Sequence, residues 1–556
     1  MRFACSRPIL SMLAIIGSLL ASGCGGGTAT SPGTGGTGPA AGDPPPSTAL
    51  SGVFTYHNDN ARQGANTHET LLTPSNVNAS TFGKLFTIEV DGWLHAQPLF
   101  AANVNIGGAA HNVVYIATEH GSVYAFDADG KQTAPLWKTS FVNPGAGITT
   151  VPAADTGAAD LGQPELGVMS TPVIDPTSGT LYVVARTKEN GSHVIRLHAL
   201  DMTSGAEKFG GPVALQASVA GTGVGNDGAG HVPFDTLRQN IRPALLLDHG
   251  IVYITSSSLD DIGPYHGWVF AYDAKTLAQR AVWNSSPNGG EAGMWNSGGG
   301  PAADSNGSIY LLTSNGTFNA ADGSYGQSFV KLSLGASGFT VDDYFTPGNF
   351  TTLNINDWDM SSGAIALLPD QTGAPHPQLL VGGGKDGVLY LLNRSSLGQF
   401  NSTADNVVQK LAGPIPGSTN CCDRGIWSTP TYWNNKVYMC GRIDTVKVFS
   451  LSGGLLSTTP IQTGTVNMRG PTLAISSNGS ENGILWAVQF DAQSSGGPAI
   501  LHAWDANDVT HELYNSNQNS ARDAAGTAIK FAVPIVANGK VYMNAQTEVD
   551  VYGLLP

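Results

Sequence analysis

Val113-Val114-Tyr115-Ile116-Ala117-Thr118-Glu119-His120-Gly121-Ser122-Val123-Tyr124-Ala125-Phe126-Asp127 reads as two strands joined by a tight turn. Runs of β-branched and aromatic residues bounded by glycine and aspartate are strand signals. The first run has relatives down the chain: Leu181-Tyr182-Val183-Val184, Val252-Tyr253-Ile254-Thr255, Ile309-Tyr310-Leu311-Leu312, Leu379-Leu380-Val381, Val437-Tyr438-Met439-Cys440, Leu485-Trp486-Ala487-Val488 and Val541-Tyr542-Met543-Asn544. The second recurs as Val269-Phe270-Ala271-Tyr272-Asp273 and Leu501-His502-Ala503-Trp504-Asp505. Ahead of each pair stands a short apolar segment, usually led by proline: Pro98-Leu99-Phe100, Pro172-Val173-Ile174, Pro243-Ala244-Leu245, Pro301-Ala302-Ala303, Ala364-Ile365-Ala366, Pro430-Thr431-Tyr432, Pro471-Thr472-Leu473 and Pro534-Ile535-Val536. Proline donates no ladder bond and belongs at a strand's first residue or on an edge, which suits the strand bordering a central channel.

Eight copies spaced by roughly 40 to 75 residues predict an all-β chain, an eight-bladed β-propeller of four-stranded antiparallel blades. A seven-bladed ring is the alternative. The last copy ends at Pro556 with only three strands, and Lys84-Leu85-Phe86-Thr87-Ile88-Glu89-Val90 supplies the fourth. An N-terminal strand completing the last C-terminal blade would seal the ring and remove its open edges. The 71 glycines and a charged fraction of 12%, against about 25% in ordinary globular chains, agree with many tight turns and sheets buried on both faces. A formal net charge of −15 and the lack of a basic stripe argue against a nucleic-acid partner.

The N-terminus carries an export signal. Arg2 and Arg7 precede an apolar run from Ile9 to Leu20 that is too short for a comfortable membrane span. Leu20-Ala21-Ser22-Gly23-Cys24 resembles the lipobox of bacterial lipoproteins, with its leucine four residues before the cysteine rather than three. The resemblance implies residues 1–23 as a signal peptide, lipidation of Cys24, and export to a bacterial membrane, at the outer membrane or cell surface. Residues 24–51, rich in Gly, Pro, Ser and Thr, read as a flexible tether, and 52–556 as the single propeller.

Residues 114–128 with Leu136-Trp137 resemble the repeat of pyrroloquinoline-quinone-type propellers. Tyr56-His57-Asn58-Asp59-Asn60-Ala61-Arg62, Leu72-Thr73-Pro74-Ser75-Asn76-Val77 and Leu85-Phe86 resemble the lead-in of quinoprotein alcohol dehydrogenases. Families sharing this repeat include quinone-dependent dehydrogenases and a non-enzymatic outer-membrane assembly lipoprotein, so the fold does not choose the function. The dehydrogenases bridge two adjacent cysteines over the quinone. Cys421-Cys422-Asp423-Arg424-Gly425, followed by Trp427, resembles that pair at the same position within a blade but in a different blade. A Cys422–Cys440 bridge and three reduced thiols are the other readings. No Cys-x-x-Cys-His haem motif occurs, and the family's calcium-binding Glu and Asn and its base Asp match no motif here.

In a propeller the loops feeding the inner strands share one face with those joining second to third strands, and ligands collect there. The candidate binding residues on that face are Cys421, Cys422, Arg242, Trp295, Trp427, Lys385 and Arg469. The basic members suit an anion such as a quinone carboxylate; pairing with Asp357, Asp386, Asp423 or Asp444 is the competing fate. Trp295 and Trp427 suit stacking on a planar ligand or sugar, or packing between blades. Two long loops, Ser258 to Gly267 and Asn315 to Gln327, stand over the same face as site or decoration. His57, His68, Asp59 and Glu69 lack metal-ligand spacing and are expected to be solvated, with no metal site. No nucleophile elbow or phosphate loop is present.

These readings give a lipid-anchored binding or scaffolding propeller that meets a protein or polysaccharide partner through its channel face. The alternative is a quinone-dependent dehydrogenase of alcohols or sugars, using pyrroloquinoline quinone with calcium and an external electron acceptor.

Overall fold

The computed structural model describes residues 50–158 and 162–556. The signal peptide, Cys24 and all but the last two residues of the tether lie outside the described residues. Eight four- or five-stranded sheets follow one another along the chain, and they are the eight blades numbered here in chain order. Blade 1 takes its inner strand from Leu99–Ile106 and blade 2 from Val173–Asp175. Blades 3 to 8 open at Leu246–Asp248, Ala302–Ala303, Ile365–Leu367, Thr431–Trp433, Ala474–Asn478 and Ile535–Ala537. In most blades the proline of the repeat falls just ahead of the first paired residue, where its missing N–H leaves no gap in the ladder. Among the described residues helix is confined to short turns such as Phe350–Ile355.

The ring closes as expected. Phe82–Glu89 pairs antiparallel with Glu548–Leu554, from Phe82 opposite Leu554 to Glu89 opposite Glu548. Phe82 is fully buried in this seam, 5.0 Å edge-on to Tyr514, 5.6 Å from Trp486 and 6.4 Å from Tyr552. Hydrophobic clusters fill the spaces between neighbouring blades: Val173, Tyr182 and Leu197 of blade 2 meet Val252, Ile254 and Phe270 of blade 3. Such cores are continuous around the ring because each sheet buries both faces.

The lead-in differs from its expected solvated state. Gly52 and Val53 pair antiparallel with Ala101 and Phe100, which carries the segment toward the channel mouth. Ala65 and Asn66 pair parallel with Ile475 and Ser476, which carries it away again. Between these points its carbonyls take inner-strand amides: Phe54 O from Ile174, Asn60 O from Ala303, Ala61 O from Leu367, Gln63 O from Tyr432 and Gly64 O from Ile475. The Asn66 amide donates to Val536 O. Fully buried Arg62 donates to Pro301 O, Thr55 Oγ1, Tyr56 O and Leu245 O. The inner strands are sheet edges, and this segment crosses them and supplies partners for their amides. His57 and Glu69 are accordingly buried, and His68 is exposed. The His57 ring nitrogens lie 2.7 Å from Arg62 O and 2.9 Å from Leu473 O.

Candidate functional site at the channel mouth

A cavity of about 630 Å³ opens at the mouth over blades 3 to 6. Its walls come from the loops that feed inner strands, which bring Arg242, Trp295, Asp357, Asp359, Ser362, Cys422 and Trp427, and from second-to-third loops, which bring Asp260, Asp261 and Lys385.

Lys385 is the centre of its charge. The side chain is buried, and Nζ lies 2.6 Å from Asp359 Oδ2 and 3.0 Å from Asp357 Oδ2 and donates to Asp357 O at 2.9 Å. Burial works against the ammonium, but Asp359 and then Asp357 outweigh it and hold its pKa above the usual lysine range. Asp357 is pushed up by burial and by Asp359, against the pull of Lys385 and Asn315. A relay of amides fixes its other oxygen: Asn315 Nδ2 donates to Asp357 Oδ1 at 2.5 Å, and Gln327 Nε2 donates to Asn315 Oδ1 at 2.5 Å. The long loop from Asn315 to Gln327 is thus the brace of an acidic wall. The other long loop supplies Asp261, which touches solvent through the cavity. Loss of water at its carboxyl, then the charges of Asp359 and Asp357, raise its pKa to about 6, although the Tyr265 hydroxyl donates to it at 2.6 Å.

Two indoles frame the space. Arg242 donates from Nε and Nη2 to Trp295 O at 3.2 and 3.1 Å, and its guanidinium sits 5.3 Å from the Trp295 ring and 4.8 Å from Phe531. Trp427 donates from Nε1 to Arg424 O at 2.7 Å, with Lys385 and Arg442 at 5.4 and 5.2 Å from its ring. The backbone is unusual here as well. Asp260, Asp261, Asn296, Ser297, Asp357 and Phe531 hold φ between 44 and 64°, a conformation that costs side-chain-bearing residues roughly 1–3 kcal/mol and clusters at functional sites.

Of the seven candidate residues, Arg242, Trp295, Lys385, Cys422 and Trp427 line the cavity. Cys421 is exposed beside it, and Cys421, Cys422 and Asp357 bring one ligand atom each within 4.8 Å of one another. Arg469 is not among the lining residues: its strand pairs with that of Arg442 and its N–H donates to Asp491. Of the other mouth cations, Arg238 donates to Thr156 O. The expected convergence of basic side chains on one ligand therefore reduces to Arg242 and Lys385, the latter paired with acids. Cys421, Cys422 and Cys440 are unbridged, and Cys440 is buried within blade 6. Burial and the hydrogen bond with Cys421 push the Cys422 thiol up to about 12. The Asp357–Cys422 approach, at 4.0 Å, joins residues 65 apart in sequence; only the ring geometry brings them together.

A second hollow of about 740 Å³ adjoins the first, sharing Asp261. Gly223, Gly289, Gly290 and Gly316 line it with Thr222, Thr317, Asn288, Asn354, Tyr265 and Glu291. Its walls combine backbone, hydroxyl and amide groups with the carboxylates of Asp261 and Glu291 and the apolar Val224 and Pro264.

No protein-family model matches the sequence, and no curated protein matches it. Among solved structures, the quinohemoprotein alcohol dehydrogenase ADHIIG from Pseudomonas putida HK5 is similar at a TM-score of 0.57 and 14% identity, over 90% of this chain and 80% of that one. The quinohemoprotein alcohol dehydrogenase from Comamonas testosteroni gives 0.56 and 14% over the same shares. A europium-containing methanol dehydrogenase gives 0.56 and 12%, over 90% of this chain and 98% of its own. Identities this low speak for architecture alone. The chain has the eight-bladed propeller fold of the quinoprotein alcohol and methanol dehydrogenases.

Proposed function

We propose that this protein is an exported, lipid-anchored binding propeller whose mouth cavity takes a neutral, hydroxyl-rich molecule, a sugar unit or polyol. The observation that carries this reading is the balance of the cavity wall. Asp260, Asp261, Asp357 and Asp359 face Arg242 and Lys385 between two indoles. Carboxylates accept hydroxyl hydrogens, an indole face packs on the apolar face of a sugar ring, and an excess of acids repels anions. The adjoining hollow, lined by glycine, threonine and asparagine, continues the same chemistry. Anchoring rests on the lipobox-like Leu20-Ala21-Ser22-Gly23-Cys24.

The test is tryptophan fluorescence of the folded chain titrated with glucose, mannitol and cellobiose. Saturable change that is lost in Trp295→Ala is the expected result. No response to any of the three, with saturable quenching by pyrroloquinoline quinone instead, would overturn the reading.

The second reading is a quinone-dependent dehydrogenase, favoured by adjacent cysteines bordering the cavity and by Trp295 and Trp427 on its wall. The four carboxylates weigh against a carboxylated quinone. Calcium, which takes six to eight oxygen ligands, finds the focus of Asp357 and Asp359 filled by the Lys385 ammonium. Dye-linked oxidation of an alcohol or sugar after loading with quinone and calcium would establish this second reading.

A further inference from the structure

The geometry points to a thiophilic metal site at the rim of the mouth, in which Cys421, Cys422 and Asp357 bind a borderline-soft divalent ion of the zinc class. The inference does not depend on which organic molecule the cavity takes. It begins with placement. One ligand atom from each of the three residues lies within 4.8 Å of the other two, the only such group of His, Cys, Asp and Glu among the described residues. Zinc–sulfur bonds of about 2.3 Å and zinc–oxygen bonds of about 2.0–2.2 Å in a tetrahedron put ligand atoms roughly 3.5–3.8 Å apart. Closing the group therefore takes about an ångström of side-chain movement at most. Two sulfurs and one carboxylate form a donor set that hard cations reject and zinc accepts, leaving a fourth position for water or a ligand.

The surroundings are built to hold these three groups together. The cysteines sit at the tip of a loop closed by Asp423, which accepts from Thr419 N at 2.9 Å and Thr419 Oγ1 at 2.7 Å. The loop is tied to the segment carrying Asp357, since the Trp358 indole donates to Asn420 O at 3.1 Å. Asp357 itself is oriented by Asn315 on one oxygen and Lys385 on the other. Such outer contacts fix a ligand's direction and commonly govern metal affinity. Charge favours a cation here as well. Two thiolates, one carboxylate and a divalent ion sum to minus one, and the Lys385 ammonium, which Asp357 shares with Asp359, offsets part of the negative charge around the site. Each sulfur exchanges its proton for a bond to the metal, the two protons pass to water, and no electron moves.

Sequence spacing gives no hint of this set, because its oxygen ligand arrives from another blade. Access is open: Cys421 is exposed, and Cys440 is too deeply buried to compete.

The experiment uses the reduced full chain, with and without one equivalent of Zn²⁺. Alkylation is followed by peptide mapping, and retained metal is counted after desalting. One zinc per chain and at least tenfold slower alkylation of the Cys421–Cys422 peptide are expected, with Ca²⁺ giving neither. Cys422→Ser should abolish retention and Asp357→Asn should weaken it at least tenfold, with retention counted on protein whose folding is checked by circular dichroism. The inference fails if zinc gives no protection, if Cys422→Ser or Ca²⁺ performs as well, or if exported protein made without reductant carries the pair as a disulfide that excludes zinc.

Discussion

Lys385 balances two carboxylates that would otherwise repel each other in a half-closed wall. Its replacement by methionine leaves Asp357 and Asp359 without their shared cation, and removing one partner of a buried pair costs roughly 3–5 kcal/mol. Lys385→Met should lower stability by that order at pH 8. The deficit should shrink as pH falls and Asp357, whose pKa is raised, takes up a proton, as read by chemical denaturation at both ends of the range. Asp386, next in the chain, offers the reverse test. Burial raises its pKa to about 6, against the Val388 amide that donates to it at 3.1 Å and the more distant charge of Lys410. A folded pKa above the unfolded value means the group's contribution is complete below about pH 4 and disappears as pH rises through 6. Asp386→Asn should therefore be more stable than the parent by about 3 kcal/mol at pH 8 and equal to it at pH 4. At this scale the sequence was a fair guide to position and a poor one to partnership. Arg242, Trp295, Lys385, Cys422 and Trp427 could be placed at the mouth because loop position within a repeat fixes the face. That Lys385 pairs with Asp357 and Asp359, while the Arg469 backbone N–H bonds Asp491, depends on distances between loops that no spacing encodes.

Among elements, the lead-in from Gly52 to Asn66 was the least legible. It reads as polar coil because it has no strand period, and most of its hydrogen bonds go to other elements' edges rather than to a ladder of its own. Gly64 shows how tightly it fits: its φ is +76°, and an added Cβ would stand 2.2 Å from His57 Nε2. Gly64→Ala should cost about 2–4 kcal/mol, the left-handed backbone and overpacking together, visible as a lower unfolding midpoint. The amides of Ile174, Ala303, Leu367, Tyr432 and Ile475, all bonded to this segment, should exchange with solvent only through global unfolding in the parent and faster in that variant. The two long loops were flagged by length alone. Their place as walls emerges from Asn315 and Gln327, which bond Asp357 and Met360 of another loop, and from the Tyr265 hydroxyl that holds Asp261.

The whole ring was the most legible feature, since a short apolar opening and a β-branched or aromatic second strand recur in every blade, most with a proline ahead, and the final copy advertises its missing strand. Stability then hinges on the seam, where residues more than 400 positions apart meet: Phe82 packs against Trp486, Tyr514 and Tyr552. Phe82→Ala should lower stability by about 3–5 kcal/mol, as a fall in the thermal midpoint. Removal of Glu548–Leu554, which would leave two sheet edges bare, should yield aggregation instead of a smaller folded protein. One further property follows from the way residues 52–66 occupy the axis. A polymer threaded along that axis would first have to strip this segment from the inner strands it bonds. While those bonds hold, a long polymer meets the propeller with an end or a bend, and whatever enters the mouth leaves by the same door.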